Sequence, residues 1–299
     1  MSNYRPVALS PVLSKVLESI MVQQLYQHFE QELPTIGNRS RRLLTERQHG
    51  YRKKMSCQSN IIQMIDDILQ DCQNGDETAL CMADLSAAFD TVKHDILIEK
   101  LKLYGLSPET ILWFRSYLEG RSQFVDVDGE RSEEIEITVG VFQGSITGPL
   151  LFLIYFNDLI CLQDQNCHVV IYADDNNYAV KLGQDVEENR QRINLKLKQV
   201  EDYMNANKLK FNVEKTQLMI MSPKRVRINE GLEVEFNGHT LKPDKHAKFL
   251  GITISDDLSW DEYILNGENG QEPLLSYLNK KLGALKKMSK FCNIDQMLL

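Results

Sequence analysis

The sequence predicts an α+β fold, on three observations. Short continuous apolar runs at 79–83, 169–172 and 218–221 have the length and texture of buried strands. Longer segments between them repeat apolar residues every three or four positions, as amphipathic helices do. Finally, Val169 to Tyr172 leads into Asp174, Asp175, Asn176 and Asn177, and the chain then returns through Tyr178 to Val180. That pattern is a strand, a tight turn and a returning strand, with two acids at the hairpin tip.

Taken in order, Ser10-Pro11 opens a helix, with serine as cap and proline at the first helical position. Leu13, Val16, Leu17, Ile20, Leu25 and Phe29 give that helix an apolar face. The segment 38–54 carries Arg39, Arg41, Arg42, Arg47, Arg52, Lys53 and Lys54 against Glu46 alone, and reads either as a solvated loop or as a phosphate-facing one. Ser56 to Cys72 is a second helix with Ile61, Ile62, Ile65, Ile68 and Leu69 inward. The run at 79–83 ends on Asp84, and Ser86 then caps a helix reaching Gly105. Ser107-Pro108 starts another helix, and the alternation in Phe124 to Val139 reads as a hairpin with an acidic edge. A glycine-punctuated loop, 140–148, runs into a helix started by Pro149. Beyond the acidic hairpin come a long helix from Val186 to Lys208, a strand at 218–221 and a hairpin around Asn237-Gly238. A further strand at 248–254 and a basic amphipathic tail helix with Leu278, Leu282, Lys280, Lys281, Lys286 and Lys287 complete the chain.

The composition bounds the function. A chain of 299 residues with 42% hydrophobic and 25% charged residues folds as a globular protein, and a net charge of −8 leaves nucleic-acid contact to local basic segments. The longest apolar run, Gly148 to Phe156, falls short of the roughly 20 residues of a membrane span, so no membrane role is expected. Cysteines at 57, 72, 81, 161, 167 and 292 show no zinc spacing. An intracellular protein, in cytoplasm or nucleus, is expected.

Adjacent carboxylates repel, so Asp174 and Asp175 are either solvated or held by something positive, of which Mg²⁺ is the hardest choice. Asp66-Asp67 and Asp256-Asp257 show that the bare dipeptide also suits an ordinary surface position. Asp84 at the exit of a buried strand is a costly place for a carboxylate unless it binds something or caps the following helix.

Seven segments occur together: Asn3-Tyr4-Arg5-Pro6, Gln48-His49-Gly50-Tyr51-Arg52, Ala83-Asp84-Leu85-Ser86-Ala87-Ala88-Phe89-Asp90, Gln143 to Phe152, Tyr172-Ala173-Asp174-Asp175, Asn212 to Thr216 and Phe249-Leu250-Gly251. In this order they resemble the reverse transcriptase domain of non-LTR, LINE-like retrotransposons, and the resemblance covers nearly the whole chain.

The resemblance implies a right-hand polymerase with fingers in 1–78, a palm in 79–254 that carries an inserted part of the fingers between about 92 and 140, and the start of a thumb in 255–299. It implies RNA-directed DNA synthesis: dNTPs added to a DNA primer on an RNA template, with two Mg²⁺ ions, or Mn²⁺ in their place, roughly 3.5–4 Å apart. Asp84, Asp174 and Asp175 would be the catalytic acids, with the Leu85 carbonyl as a further metal ligand. Phe89 would lie beneath the nucleotide sugar, or be a core ring. Gln143, Gly144 and Lys215 would approach the nucleotide, and Arg5 and Arg52 the triphosphate, where a guanidinium fork suits phosphate oxygens. Phe249, Leu250 and Gly251 would hold the primer. Phe142 departs from the family's proline before the glutamine. Full-length relatives are expected to carry an endonuclease upstream and a complete thumb, so the chain reads as a fragment. The alternatives are a catalytically silent relic that only binds nucleic acid, and another palm-fold two-metal phosphotransferase.

Overall fold

The computed structural model describes residues 8–30, 32–33, 41–222, 228–229, 231–266 and 272–288. In chain order its principal elements are α1 (Val12–Phe29), α2 (Cys57–Gln73), β1 (Glu77–Ala83), α3 (His94–Leu103), α4 (Pro108–Leu118), β2 (Arg121–Gln123) and β3 (Ile135–Ile137). They continue with α5 (Thr147–Phe156), β4 (Cys167–Tyr172), β5 (Asp175–Leu182), α6 (Val186–Ala206), β6 (Gln217–Met221), β7 (Val234–Phe236), β8 (His239–Leu241), β9 (His246–Phe249), β10 (Ile252–Ser255) and α7 (Leu274–Met288).

The centre is a four-stranded antiparallel sheet in the order β6-β1-β5-β4. Alternate residues of its strands enter two cores. Ala79, Cys81, Tyr178, Val180, Leu218 and Ile220 pack with Leu150, Leu151 and Ile154 of α5 and with Ile193, Leu197 and Val200 of α6. Leu80, Met82, Val170, Ala179 and Met219 pack with Ile61, Met64 and Ile68 of α2 and with Ala247, Phe249 and Ile254 of the β9–β10 hairpin. Coverage of both faces explains why β1 reads as an unbroken apolar run although its neighbours are antiparallel, where alternation is usual. Nearly every residue of α5 is buried, so this helix is apolar all round.

Several boundaries differ from the sequence expectation, each for a local reason. Helix α1 begins at Val12 with Pro11 as its cap and no side-chain cap bond. Its buried apolar residues are confined to its C-terminal half: Leu25 and Phe29 are buried while Leu13, Val16, Leu17 and Ile20 are exposed. In α2 Ile61 and Ile68 are buried, whereas Ile62 and Leu69 lie on the solvent side of the stripe. The helix expected from Ser86 is instead a short 3₁₀ turn, Ala88–Thr91, followed separately by α3. Ala87 in the left-handed region (φ 48°) breaks it, and the Ser86 N–H is taken by the Lys210 carbonyl at 2.8 Å. The strand expected over 248–254 is two strands joined at Leu250 (φ 45°) and Gly251 (φ 88°). The Asn237-Gly238 turn and the Ser107 cap of α4 are as expected.

Candidate active site

Sheet register brings the separated acids to one end of the sheet. Ala83 pairs with Asn176 across β1 and β5, so Asp84, one residue further, comes opposite Asp175. Tyr172 pairs with Asp175 across β4 and β5, leaving Ala173-Asp174 as a two-residue turn. Ala173 has φ 55° at the first turn position, a conformation that two-residue hairpin turns demand. On the other side of Asp84, its carbonyl accepts the Asn212 N–H at 2.9 Å, and Leu85 forms a bridge with Phe211. The bonds of that bridge belong to the residues flanking Leu85, so the Leu85 peptide groups point away from Phe211, toward the β5 side. Lys215 places its ammonium 3.3 Å from Asp84 Oδ2, with its side chain 66% exposed.

The glycine loop is laced to the turn after Asp84. The Val141 N–H donates to the Phe89 carbonyl at 2.8 Å, and Gln143 Nε2 to Asp90 Oδ1 at 3.2 Å. Gly144 has φ 98°. A Cβ on Gly148 would lie 2.6 Å from the Phe142 carbonyl oxygen, so that approach requires glycine. Phe142 packs edge-on to Tyr117 and beneath the Arg121 guanidinium, and its carbonyl accepts the Ser145 hydroxyl at 2.8 Å. The loop is thus fastened by hydrogen bonds at the position where the resemblance led to an expected proline. Phe89 is half-buried, stacks on Phe152 at 4.6 Å and meets Tyr51 edge-on at 6.0 Å.

Two expected contacts are corrected or lie elsewhere. Arg52 does not face the site: its side chain is 1% exposed, bidentate to Glu30 at 2.8 and 2.9 Å, and bonded to the carbonyls of Thr45 and Gln48. Four of its five N–H donors are engaged by these acceptors, so the fork is committed to the fold and not turned toward a triphosphate. Arg42 joins the same Glu30, and Arg47 pairs with Asp67, so these three arginines of the basic segment fasten the fold. Arg5 lies outside the described residues. Phe249 is buried against the sheet, and Leu250 and Gly251 form the tip of the β9–β10 hairpin.

Two residues absent from the sequence-derived site stand at its heart. Asn176, fully buried, donates through Nδ2 to the carbonyls of Ala83 and Asp174, each at 3.0 Å. Gln48, also fully buried, accepts the Ala173 N–H at 3.0 Å. Their only sequence signal was position: one follows the acid pair and the other opens the Gln48–Arg52 segment. Glu18 of α1, 2% exposed, was missed as well; its carboxylate accepts the N–H groups of Ile146 and Thr147 at 2.8 and 3.2 Å at the start of α5.

The environment behind the hairpin is charged. His168 on β4 lies 3.8 Å from Asp67 and 3.7 Å from Asp71, and the Asp71 carboxylate raises its pKa above the usual histidine value. Burial lowers that of His49, whose ring contacts Ser59 and Gln63 at 2.7 Å. The Tyr172 phenol is pushed up to about 12 by its bond to Cys57 and by burial. Asp84, Asp174 and Asp175 supply oxygen donors only, the set that hard divalent cations take, and the Lys215 ammonium already occupies one of them. Their chemistry fits Mg²⁺, although among the described residues no group of three or more His, Cys, Asp or Glu is drawn together closely enough to hold a metal ion.

A family model described as "Reverse transcriptase (RNA-dependent DNA polymerase)" matches residues 1–254. The chain belongs to the reverse transcriptase family. It is 23% identical to the RNA-directed DNA polymerase from mobile element jockey of Drosophila melanogaster, over 98% of this chain and 31% of that protein. It is 28% identical to the probable RNA-directed DNA polymerase from transposon BS of the same species, over 88% of this chain and 28% of that protein. The chain therefore spans about three tenths of the length of these curated relatives. Among solved structures, telomerase from Candida tropicalis in complex with a TWJ fragment of telomeric RNA superposes with a TM-score of 0.51 at 12% identity, covering 92% of this chain and 41% of that one. The reverse transcriptase membership and the right-hand polymerase architecture expected from the seven segments both hold.

Proposed function

We propose that this chain is the polymerase portion of a non-LTR retrotransposon protein and copies RNA into DNA. The observation that carries the reading is the pairing of Ala83 with Asn176, which brings Asp84 beside the Asp174-Asp175 turn at one end of an antiparallel sheet. The substrates are an RNA template, a DNA primer and dNTPs, and the site of action is intracellular, in cytoplasm or nucleus. Among the described residues no helix is long and apolar enough to cross a membrane. The boundaries proposed are fingers in 1–78, palm in 79–254 with inserted fingers near 92–140, and thumb from 255.

Asp84, Asp174, Asp175 and the Leu85 carbonyl would hold two Mg²⁺ ions, or Mn²⁺, which when bound stabilise charge developing at the α-phosphate and assist deprotonation of the primer hydroxyl. Lys215 exchanges its partner from Asp84 to a phosphate oxygen of the nucleotide. Phe89, braced by Phe152, excludes a 2′-hydroxyl, and the Gln143-Gly144 loop lies along the nucleotide. Phe249, Leu250 and Gly251 support the primer, and Arg5 is proposed for the triphosphate. Lys280 and Lys281 on α7 are exposed on the thumb side, where a duplex backbone would pass.

Primer extension on poly-rA/oligo-dT with Mg²⁺ or Mn²⁺ tests this: dTTP should be added only with a divalent ion present. Binding of the hybrid without extension under either metal would favour the silent relic.

A further inference from the structure

We infer that Gln48 and Asn176 are positioning residues, two buried carboxamides that clamp the Ala173-Asp174 turn and so set the acids in register. This rests on the reading of Asp174 and Asp175 as metal ligands. A two-residue turn leaves peptide groups that the β4–β5 ladder does not pair, and Ala173 is only 4% exposed, so water does not satisfy them. Gln48 meets that need. Its Oε1 accepts the N–H of Ala173 at 3.0 Å and of Gly50 at 2.8 Å, and its Nε2 lies 3.5 Å from the Ala173 carbonyl oxygen.

The backbone around Gln48 is docked on the edge of β4 to deliver this contact. The His49 N–H donates to the Ile171 carbonyl at 2.9 Å, and the Ile171 N–H to the Arg47 carbonyl at 2.9 Å. A Cβ on Gly50 would stand 2.5 Å from the Ala173 nitrogen, so the approach is possible only for glycine. Asn176 works from the opposite side. One amide group joins the carbonyl preceding Asp84 to that of Asp174, and Tyr178 fixes its orientation by donating to Oδ1 at 2.6 Å. Sheet packing alone would be served by apolar residues, which need no partners. Instead Asn176 holds the carbonyl of Asp174 itself and that of Ala83, next to Asp84, while Gln48 holds Ala173, next to Asp174, and Ala173 in the left-handed region requires such support.

The test uses Gln48→Met, equal in length but without the amide, and Asn176→Leu. Three quantities are followed: the melting temperature, hydrogen exchange of the peptide spanning 171–176, and Mn²⁺ binding by electron paramagnetic resonance. In a folded variant the turn should exchange about tenfold faster or more while α6 is unchanged, and Mn²⁺ should bind about threefold more weakly or worse. Gln48→Asn, which withdraws the amide by one methylene, replaces Gln48→Met if the latter does not fold. Unchanged turn exchange with unchanged Mn²⁺ affinity overturns the inference. Asp174→Asn separates the two levels: it should weaken Mn²⁺ without accelerating the turn. If it leaves Mn²⁺ binding intact, the metal reading fails and takes the metal half of the inference with it, while the exchange result still judges the clamp.

Discussion

At the scale of single residues, Phe89, proposed to meet the nucleotide sugar, and Arg52, which fastens the fold, differ in burial. Phe89 is half-buried and stacks its face on Phe152 at 4.6 Å, a braced ring that cannot easily yield to an extra hydroxyl. Phe89→Ala should lower the ratio of kcat/KM for dNTP over rNTP by about tenfold, or ~1.4 kcal/mol. Because the ring is half-buried, the stability cost should stay below the ~3–5 kcal/mol of a core Phe→Ala change. A constant ratio with a full core penalty would make Phe89 packing only. Arg52→Met, by contrast, should cost about 2 kcal/mol or more in urea unfolding, since it leaves Glu30 to Arg42 alone and deprives two carbonyls of a donor. The low end applies because Glu30 is 31% exposed in its side chain. The KM for dNTP should hardly move in that variant; a large rise with unchanged stability would restore Arg52 to the triphosphate.

At the scale of elements, the interface between α2 and the sheet is electrostatic as well as apolar. Asp67 and Asp71 of α2 face Arg47, His168 on β4 and Lys181 on β5. The Asp71 carboxylate, aided by Asp67 and opposed by burial and Arg47, raises the His168 pKa. Its folded-state pKa thus exceeds the unfolded value of ~6.5, so the stabilisation is complete below about that pH and disappears as pH rises through the folded value. His49 acts in the opposite sense, since burial lowers its pKa and stability is lost as it is forced to charge on acidification. Comparing the parent with His168→Gln isolates the first effect. The parent's advantage in urea midpoint should be larger near pH ~6 than near pH ~8; an advantage independent of pH would rule out protonation as its source. Element identity was largely legible here: the helix expected over Ser56 to Cys72 is α2, which Ser56 opens in a capping box with Ser59. The exposure of Ile62 and of the apolar residues in the first half of α1 was not legible, because periodicity identifies a stripe without saying how far the partner surface extends.

At the scale of the molecule, what sequence conveyed was the set of acids and the strands that end on them. Asp84 after an apolar run and Asp174-Asp175 in a hairpin needed only local pattern, and the family order supplied their pairing. What it could not convey were contacts between distant segments: Gln48 on Ala173, Glu18 on the first turn of α5, Asn176 between two carbonyls. Such contacts carry no periodicity, and a buried amide in a sequence looks like any other polar residue. The resemblance placed Arg52 at the triphosphate for the same reason, since a matched segment looks alike whether its arginine meets substrate or Glu30. The measurement that bears most directly on the whole account is the rate of single-nucleotide addition to a DNA primer on an RNA template by the parent, Asp84→Asn and Asp174→Asn in Mg²⁺, with melting temperatures alongside. The account predicts that each variant loses about a thousandfold or more in rate, ~4 kcal/mol of transition-state stabilisation, at an unchanged or slightly raised melting temperature because crowded carboxylates are relieved. Addition at the parent rate by either folded variant would contradict it.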